Sequence, residues 1–249
     1  MSIADLRPVS ADGLTDDELL ERYPVPAAAP FWIRFNFIVS ADGAATLDGR
    51  AGGLGNAADR RLLQLLRWPA DVVLVGAGTV RAEGYGGELV HEAGRRWREG
   101  RGRASSPVAA VVSGSLDLDP RSPFFTEAPI RPLVLTTAAA DPQRRRDLER
   151  VADVRVAGGD RVEPALVVAE FEAAGLRVIH SEGGPILFHA FLEAGLVDDL
   201  CLSLSPLLVG GGLRLLPRDL PRPARMRLAH VLESEGLLLL RYALGGRGS

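Results

Sequence analysis

Short apolar runs alternate along the chain with segments in which apolar residues recur at helical spacing. The runs are rich in branched and aromatic residues and end at turn-forming residues, which is typical of buried strands. They predict strands at 31–39, 71–78, 108–113, 132–137, 154–156, 176–181 and 197–210. Helices are predicted at 56–67, just after 141–142, at 162–174 and at 185–195. This alternation predicts an α/β fold with a mostly parallel central sheet and helices on both faces.

The two ends of the chain depart from this alternation. Near the C-terminus, RMRLAHVLE and GLLLLRYAL flank Ser234-Glu235-Gly236 with no helix between them, so they predict an antiparallel hairpin. Residues 1–30 contain PVPAAAP, which cannot form a regular ladder, and are predicted to be an N-terminal arm. Residues 31–249 are predicted to form one domain, in which the segment 84–106 is a long loop.

Composition argues against several classes of protein. The 249-residue chain is 47% hydrophobic and 24% charged, and its formal net charge of −3 lacks the basic excess of a nucleic-acid-binding protein. A single cysteine excludes a disulfide framework, and the four histidines lack metal-site spacing. The N-terminus lacks a signal core, and no apolar run reaches the ~18–20 residues that span a bilayer. We therefore expect a cytoplasmic protein with no metal and no nucleic-acid or membrane partner.

The predicted strands deliver a particular set of residues to one edge of the sheet. In an open parallel sheet, ligands bind at the carboxyl ends of the strands. Glycines, hydroxyl residues and acids gather at this edge: Ser40, Asp42, Gly76, Gly78, Thr79, Glu83, Ser113, Thr136, Thr137, Glu182, Gly183 and Gly184. We expect a ligand to bind there.

The stretch SEGGPIL at 181–187 carries the clearest chemistry on this edge. Gly183 and Gly184 let a ligand approach the main chain, and a helix that begins near Pro185 would attract phosphate with its N–H groups. The alternative is a tight turn without a ligand. A second glycine turn, GAGT at 76–79, favours a dinucleotide over a single phosphate. No G-x-G-x-x-G, Walker A or G-x-S-x-G motif is present, which disfavours a standard Rossmann dehydrogenase, phosphoryl transfer and serine hydrolysis.

Three charged residues near this edge have competing interpretations. Asp42, within SADG, suits a turn as well as catalysis, and Arg67 suits a helix C-terminal cation as well as a ligand contact. Glu182 follows an apolar strand, where an acid is costly without a partner, and this favours a functional role. The neighbouring His180 and His189 are interpreted as packing residues.

Three segments together resemble a known family. FIVSADGAAT, GLGNAADRRLLQLLRWPADVVLVGAGTVRAEGYG and SEGGPILFHAFLEAGLVDDLCLSLSPLLVGGG are similar to the reductase domain of the bacterial riboflavin-biosynthesis deaminase/reductase, over about 31–242. The resemblance implies a dihydrofolate-reductase-like fold, a homodimer and a stand-alone NADPH-dependent reductase. It implies hydride transfer to C1′ of the sugar in 5-amino-6-(5-phosphoribosylamino)uracil, which gives the ribitylamino product. The zinc motifs of the deaminase half are absent from this sequence.

The resemblance also assigns roles to individual positions. By this resemblance the cofactor would contact Thr79, Glu83, Ser113 and the segment from Gly184 to Ala190, which includes Pro185, Ile186 and Leu187. The glycine turns themselves add Gly76, Gly78 and Gly183 as candidate cofactor contacts. The substrate would contact Asn36, Ser40, Arg67 and Glu182, and Glu182 and Asp42 are the candidate catalytic residues.

The sequence departs from the family pattern at three positions. Asn36 stands where many members have lysine, and Glu83 where many have aspartate. The arginine expected near the substrate phosphate has no clear counterpart, and the candidates to replace it lie in the predicted loop: Arg95, Arg98, Arg101 and Arg103. Two alternatives therefore stay open, a reductase of the same fold that acts on another pterin or pyrimidine such as dihydrofolate, and a non-catalytic nucleotide-binding protein.

Overall fold

A computed structural model describes residues 13–27 and 29–245. The strands in these ranges are β1 (Trp32–Ser40), β2 (Val72–Gly76), β3 (Val108–Val112), β4 (Leu133–Thr136), β5 (Asp153–Val156), β6 (Val178–Ser181), β7 (Asp199–Ser205), β8 (Met226–Ser234) and β9 (Leu237–Leu244). The helices are α1 (Asp16–Arg22), α2 (Ala57–Arg67), α3 (Ala77–Glu83), α4 (Glu92–Glu99), α5 (Pro123–Thr126), α6 (Pro142–Glu149), α7 (Pro164–Ala173) and α8 (Pro185–Glu193).

All the described strands belong to one sheet in the order β5-β4-β3-β2-β6-β1-β7-β9-β8. All the pairs among strands β1 to β7 are parallel, whereas β9 runs antiparallel to both β7 and β8. Glu235 and Gly236 turn the hairpin with φ values of 54° and 82°, the positive angles that tight hairpin turns require. The predicted mostly parallel α/β sheet with a C-terminal antiparallel hairpin is therefore confirmed.

Helices cover both faces of the parallel part of the sheet. Alternate residues of one strand point to opposite faces, so Leu74 packs with the α7 and α8 side, while Val73 and Val75 pack with the α3 and α6 side. Strands buried on both faces need nearly continuous apolar sequence, which explains the unbroken run of valine and leucine in β2. None of the described helices has the length and apolarity required to cross a membrane.

The strand order brings together segments that are distant in sequence. Strand β6 lies between β1 and β2, with Ser181 level with Phe35 on one side and with Leu74 on the other. The chain therefore leaves β1, forms β2 to β5, and returns to insert β6 beside β1. This insertion places the Glu182-Gly183-Gly184 turn next to the end of β2.

Helix α2 forms as its sequence predicts. The Asn56 side chain caps it by accepting hydrogen bonds from the N–H groups of Ala58 at 3.0 Å and Asp59 at 3.1 Å. Leu62 and Leu66 on its inner face are buried against Ile38 and Leu239 of the sheet. The cap and the apolar face fix the direction in which Arg67, at the end of the helix, enters the protein.

Some predicted boundaries were wrong. The segment 84–106 is not all loop, because α4 forms within it: buried Arg98 donates to the carbonyls of Trp68 and Ala70 at 2.7 Å and 2.5 Å. Strand β2 ends at Gly76, where α3 begins, and β7 ends at Ser205, because Pro206 follows it. The bounds of these segments are set by tertiary contacts or by a single turn residue, and the hydrophobic pattern contains neither.

Part of the predicted N-terminal arm is helical. Thr15 and Glu18 form a reciprocal capping box at the start of α1, and Leu19 is buried. Residues 1–12 and 28 of the predicted arm lie outside the described residues.

The segment after α1 is held by a buried charge cluster. Asp199 accepts hydrogen bonds from Arg34 at 2.8 Å and from Arg241 at 3.0 Å. The two guanidinium groups also donate to the carbonyls of Arg22, Tyr23 and Pro24. Carbonyl oxygens of the N-terminal segment therefore share the excess positive charge of the cluster.

Candidate active site

A cleft of about 1360 Å³ opens at the carboxyl ends of β1, β2, β3 and β6. It is larger than the roughly 300–1,000 Å³ of a typical small-molecule site, so it has room for two ligands side by side. Most of the residues predicted to bind ligands line it: Asn36, Arg67, Gly76, Gly78, Thr79, Glu83, Ser113, Glu182, Gly184, Pro185, Ile186 and Leu187. The exceptions are Ser40, Asp42 and Gly183, which do not belong to the lining.

Gly183 lies where no side chain fits. Its φ is +83°, and a Cβ atom there would lie 2.5 Å from Cε1 of Phe37. Its carbonyl accepts a hydrogen bond from the Gly76 N–H at 2.6 Å, and the Gly183–Gly184 peptide bond is cis. The two predicted glycine turns therefore contact each other directly, as part of a single backbone surface.

Gly184 occupies the N-cap position of α8, and its bare backbone faces the cleft. A Cβ atom at Gly184 would lie 2.9 Å from Oγ1 of Thr79, so the Thr79 hydroxyl stands directly over this turn. Pro185 begins the helix, where its missing N–H costs nothing. The first-turn N–H groups of Ile186 and Leu187 have no acceptor within the helix and are suited to an anion.

The side chains of α8 divide between cleft and core. Ile186 lines the cleft with 73% of its surface exposed, whereas Leu187 is buried in the core below the turn. An apolar side chain held open at a cleft wall is suited to packing against a flat ring.

Glu182 and Arg67 form a buried ion pair in the cleft wall. Nε of Arg67 donates to Oε1 at 2.6 Å and its Nη2 donates to Oε2 at 2.8 Å, while Nη1 donates to the Leu89 carbonyl at 3.0 Å. Burial lowers the pKa of Arg67, but the charge and hydrogen bonds of Glu182 outweigh it and the net direction is upward. The partner that the sequence required for Glu182 is therefore Arg67.

Tyr85 completes this group and was missed by the sequence reasoning. Its hydroxyl donates to Oε2 of Glu182, and the Arg67 guanidinium lies 5.8 Å from the centre of its ring. The available signal was a tyrosine between two glycines, in the part of the motif that departs from the family. Arg67, Glu182 and Tyr85 join α2, β6 and the end of α3 into one rigid cleft wall.

His180 lies behind this wall. It is 1% exposed, and its Nε2 is 3.4 Å from Oε1 of Glu182. Burial, and then the charges of Arg34 and Arg67, hold the pKa of His180 well below its ordinary value, so the imidazole is neutral. It packs the wall and carries no charge.

Asp42 performs a different task from the catalytic one suggested for it. Its carboxylate accepts hydrogen bonds from the Ser40 hydroxyl at 2.5 Å and from the N–H groups of Val209 and Gly210 at 3.0 Å and 2.7 Å. These bonds, that of Ser40 first, hold the pKa of Asp42 well below its usual range. The carboxylate fastens the loop after β7 to the end of β1 and lies outside the cleft lining. It is therefore not suited to proton donation.

Two predicted cofactor contacts use their side chains within the protein. Oγ of Ser113 accepts from the Leu116 N–H at 3.0 Å, and Oε1 of Glu83 accepts from the Ala51 N–H at 2.7 Å. Glu83 thereby links α3 to the loop before α2, and both residues of this bond line the cleft. Ser113 and Glu83 both shape the cleft wall.

The arginines of segment 84–106 do not line the cleft. Arg98 binds backbone carbonyls, Arg103 pairs with Asp71, Arg95 pairs with Glu88, and Arg101 stacks on Trp97. The expectation that one of them faces the substrate phosphate is therefore not supported. The arginines that do line the cleft are Arg60, Arg67, Arg81, Arg161 and Arg218.

Asp59 is a further cleft residue that sequence reasoning treated only as part of a helix start. It lies in the first turn of α2 and lines the cleft together with Leu63 and Arg67. Their spacing of four residues puts all three on one face of the helix.

Comparison with known proteins agrees with this geometry. The sequence model of the RibD C-terminal domain matches residues 31–239. The chain belongs to the RibD C-terminal domain family. Among solved structures, a pyrimidine reductase-like protein from Corynebacterium diphtheriae superposes with a TM-score of 0.80 at 30% identity, over 87% of this chain and 93% of that one.

Two archaeal proteins similar to this chain carry the same name. Each is a 2,5-diamino-6-ribosylamino-4(3H)-pyrimidinone 5′-phosphate reductase. The protein from Methanothermobacter thermautotrophicus is 29% identical over 70% of this chain and 79% of its own length. The one from Archaeoglobus fulgidus is 28% identical over 61% of this chain and 69% of its own length.

Proposed function

We propose that this protein is an NADPH-dependent reductase of riboflavin biosynthesis. It would reduce a phosphorylated ribosylaminopyrimidine by hydride transfer to C1′ of the sugar, giving the ribitylamino product. The observation that carries the proposal is one cleft in which the bare Gly183-Gly184 turn adjoins the charged wall of Arg67, Glu182 and Tyr85. The names of the archaeal relatives support the pyrimidine substrate.

The residues around the glycine turn fit a pyridine dinucleotide. Side-chain-free backbone at Gly76 and Gly184 admits a pyrophosphate to the N-terminus of α8, and the Thr79 hydroxyl is available as a donor. The exposed face of Ile186 would pack on the nicotinamide ring. Arg161, an exposed cation in the cleft lining, supports NADPH over NADH, because a second phosphate needs a positive partner.

When bound, the reduced nicotinamide supplies the hydride, and the protein aligns the reactants and excludes water. The Arg67–Glu182 pair fixes the wall opposite the glycine turn, so the sugar carbon meets a rigid surface. The Tyr85 hydroxyl holds a proton at this wall, bonded to Glu182, and Asn36 on β1 adds an amide that can donate to or accept from the substrate. Asp42 has no part in these steps.

The decisive test is the oxidation of NADPH by the purified protein in the presence of candidate pyrimidines. The substrates are 2,5-diamino-6-ribosylamino-4(3H)-pyrimidinone 5′-phosphate, its 2-oxo counterpart 5-amino-6-(5-phosphoribosylamino)uracil, and dihydrofolate. Turnover of either phosphorylated pyrimidine, well above that of dihydrofolate, supports the proposal. Preference for dihydrofolate would favour the pterin alternative, and tight NADPH binding without oxidation would favour a non-catalytic protein.

We also propose that the protein is a homodimer. Large apolar side chains are exposed on the edge strand β8, namely Met226 at 45% and Leu228 at 43%, and Leu208 is 83% exposed in the loop after β7. In the described residues, β8 pairs only with β9, so its outer edge is open. Light scattering on a size-exclusion column should give twice the 26.6 kDa mass of the chain, and a monomer at micromolar concentration would contradict this.

A further inference from the structure

Asp59 is an acid in the cleft that the proposed mechanism does not use. It lies two helical turns before Arg67 on α2, so the Cα atoms of the two residues are about 12 Å apart along the helix axis. Leu63 lies between them on the same face. Helix α2 therefore presents to the cleft an apolar strip with an anion at one end and the Arg67–Glu182 pair at the other.

The Asp59 carboxylate is held in one orientation. Ser203 of β7 donates its hydroxyl to Oδ1 at 2.6 Å, and Ser203 itself is 2% exposed. On the other side, a Cβ atom at Gly55 would lie 2.5 Å from Oδ2, so the glycine makes room for this oxygen. Within the described residues, Oδ2 accepts no hydrogen bond.

The free oxygen of Asp59 is available to a ligand in the cleft. Burial raises the pKa of Asp59, against the opposing effects of the Ser203 hydrogen bond and the Arg60 charge. The helix does not need the carboxylate as a cap, because Asn56 already accepts the N–H groups of Ala58 and Asp59. A half-buried acceptor aimed into a ligand cleft is suited to N–H donors of the ligand.

We propose that Asp59 binds the adjacent 2-amino and N3–H groups of a 2-aminopyrimidin-4-one and so selects the 2,5-diamino substrate over its 2-oxo counterpart. This inference rests on the proposed reductase function and deepens it. A carboxylate offers acceptors only, which matches the two neighbouring donors of the 2-amino edge. The 2-oxo compound presents a carbonyl at the same place, so its oxygen would face the carboxylate oxygen without a proton between them.

The selection has a consequence for the order of reactions. A reductase that requires the 2-amino group must act before that group is removed. Its product keeps the amine, so hydrolytic deamination at C2 has to follow, at a site that accepts the ribitylamino compound.

The test compares kcat/KM for the two pyrimidines in the wild type and in Asp59→Asn. A carboxamide presents one acceptor and one donor, which complements the N3–H and C2=O of the 2-oxo compound. We expect the wild type to favour the 2-amino substrate by about ten- to a hundred-fold, and Asp59→Asn to lower or reverse this ratio by a similar factor. Asp147→Asn, an exposed aspartate on α6, is the control and should leave the ratio unchanged.

A second variant keeps the inference testable if Asp59→Asn does not fold. Ser203→Ala keeps the Asp59 carboxylate but frees it to rotate, so the preference should weaken by less than in Asp59→Asn while both substrates still turn over. Equal ratios in the wild type, Asp59→Asn and Ser203→Ala, or a wild type that prefers the 2-oxo compound, would overturn the inference and leave the reductase function standing. Turnover of neither pyrimidine would overturn the proposed function itself.

Discussion

Arg67, the last residue of α2, holds Glu182, the first residue after β6, in a buried two-bond ion pair across 115 residues of sequence. The pair sits where the cleft wall joins the glycine turn, so the position of the turn depends on it. Removing one partner would leave the other charge buried without compensation.

We predict that Glu182→Gln lowers the free energy of unfolding by about 3–5 kcal/mol, because Arg67 loses its counter-charge. Turnover should fall more than NADPH affinity, since the wall faces the substrate side. Thermal unfolding and steady-state kinetics measure the two effects. A double-mutant cycle on Arg67 and Glu182 should give a larger coupling than one on Glu92 and Arg96, an exposed i,i+4 pair worth at most about 0.5 kcal/mol. Equal coupling energies would show that the buried pair contributes no more to stability than the exposed pair does.

The two glycines of the turn should respond differently to alanine. Gly183→Ala combines a positive φ with a contact of 2.5 Å to the Phe37 ring, so we expect a loss of about 2–4 kcal/mol in stability. Gly184→Ala meets only the Thr79 hydroxyl, and Gly184→Ala/Thr79→Ala should recover stability while NADPH affinity stays reduced, because the methyl group fills the cradle. Calorimetry and NADPH titration measure these effects.

Gly159→Ala is the matched control for both variants, because a Cβ atom there meets nothing within 4 Å. Should the double variant bind NADPH as tightly as the wild type, the turn would not be the cofactor cradle.

The acid limb of the pH–rate profile should report Asp59. Because burial raises its pKa above the ordinary 3.8, Asp59 is protonated at a higher pH than a free aspartate and then loses an acceptor for the 2-amino edge. As pH falls through the raised pKa, kcat/KM for the 2-amino substrate should decline, and Asp59→Asn should lack this limb. Stability moves the other way: it falls as pH rises from the ordinary to the raised pKa, because the folded state disfavours the charged form. An unchanged acid limb in Asp59→Asn would assign it to another group.

Outside the cleft, we expect substitutions in the buried charge cluster of Arg34, Asp199 and Arg241 to reduce stability the most. Asp199→Asn leaves Arg34 and Arg241 without their shared anion, and we expect a loss of about 3–5 kcal/mol in the free energy of unfolding. Asp153→Asn breaks an ion pair that is 47% exposed on both sides and should cost no more than about 1 kcal/mol. Denaturant titration compares the two, and similar losses would mean that burial adds nothing to the cluster.

Elements whose causes are local were predictable from sequence. The Asn56 cap, the apolar face of α2, the proline that begins α8 and the glycine that turns the final hairpin each act within a few residues. Helix α4 was missed because its sequence is mostly polar; in the fold, Arg98 anchors it by donating to carbonyls just after α2.

The same division runs through the candidate site. The glycine turn was recognisable from sequence because glycine is the residue that tolerates a positive φ next to an aromatic ring, as at Gly183. The partners of the charged residues were not: Glu182 meets Arg67 and Tyr85, Asp42 meets the loop after β7, and Asp59 meets Ser203. Each of these contacts forms only because the order of strands in the sheet brings distant segments together.

By itself, the sequence determined the alternation of strands and helices, the antiparallel end and the bare backbone beside the cleft. Periodicity, helix caps and steric limits act over a few residues, so they can be recognised from the local sequence. Only the tertiary structure decided which charges are paired and which acid stays open to a ligand. Inserting β6 between β1 and β2 joins groups more than a hundred residues apart, and no local pattern records that choice.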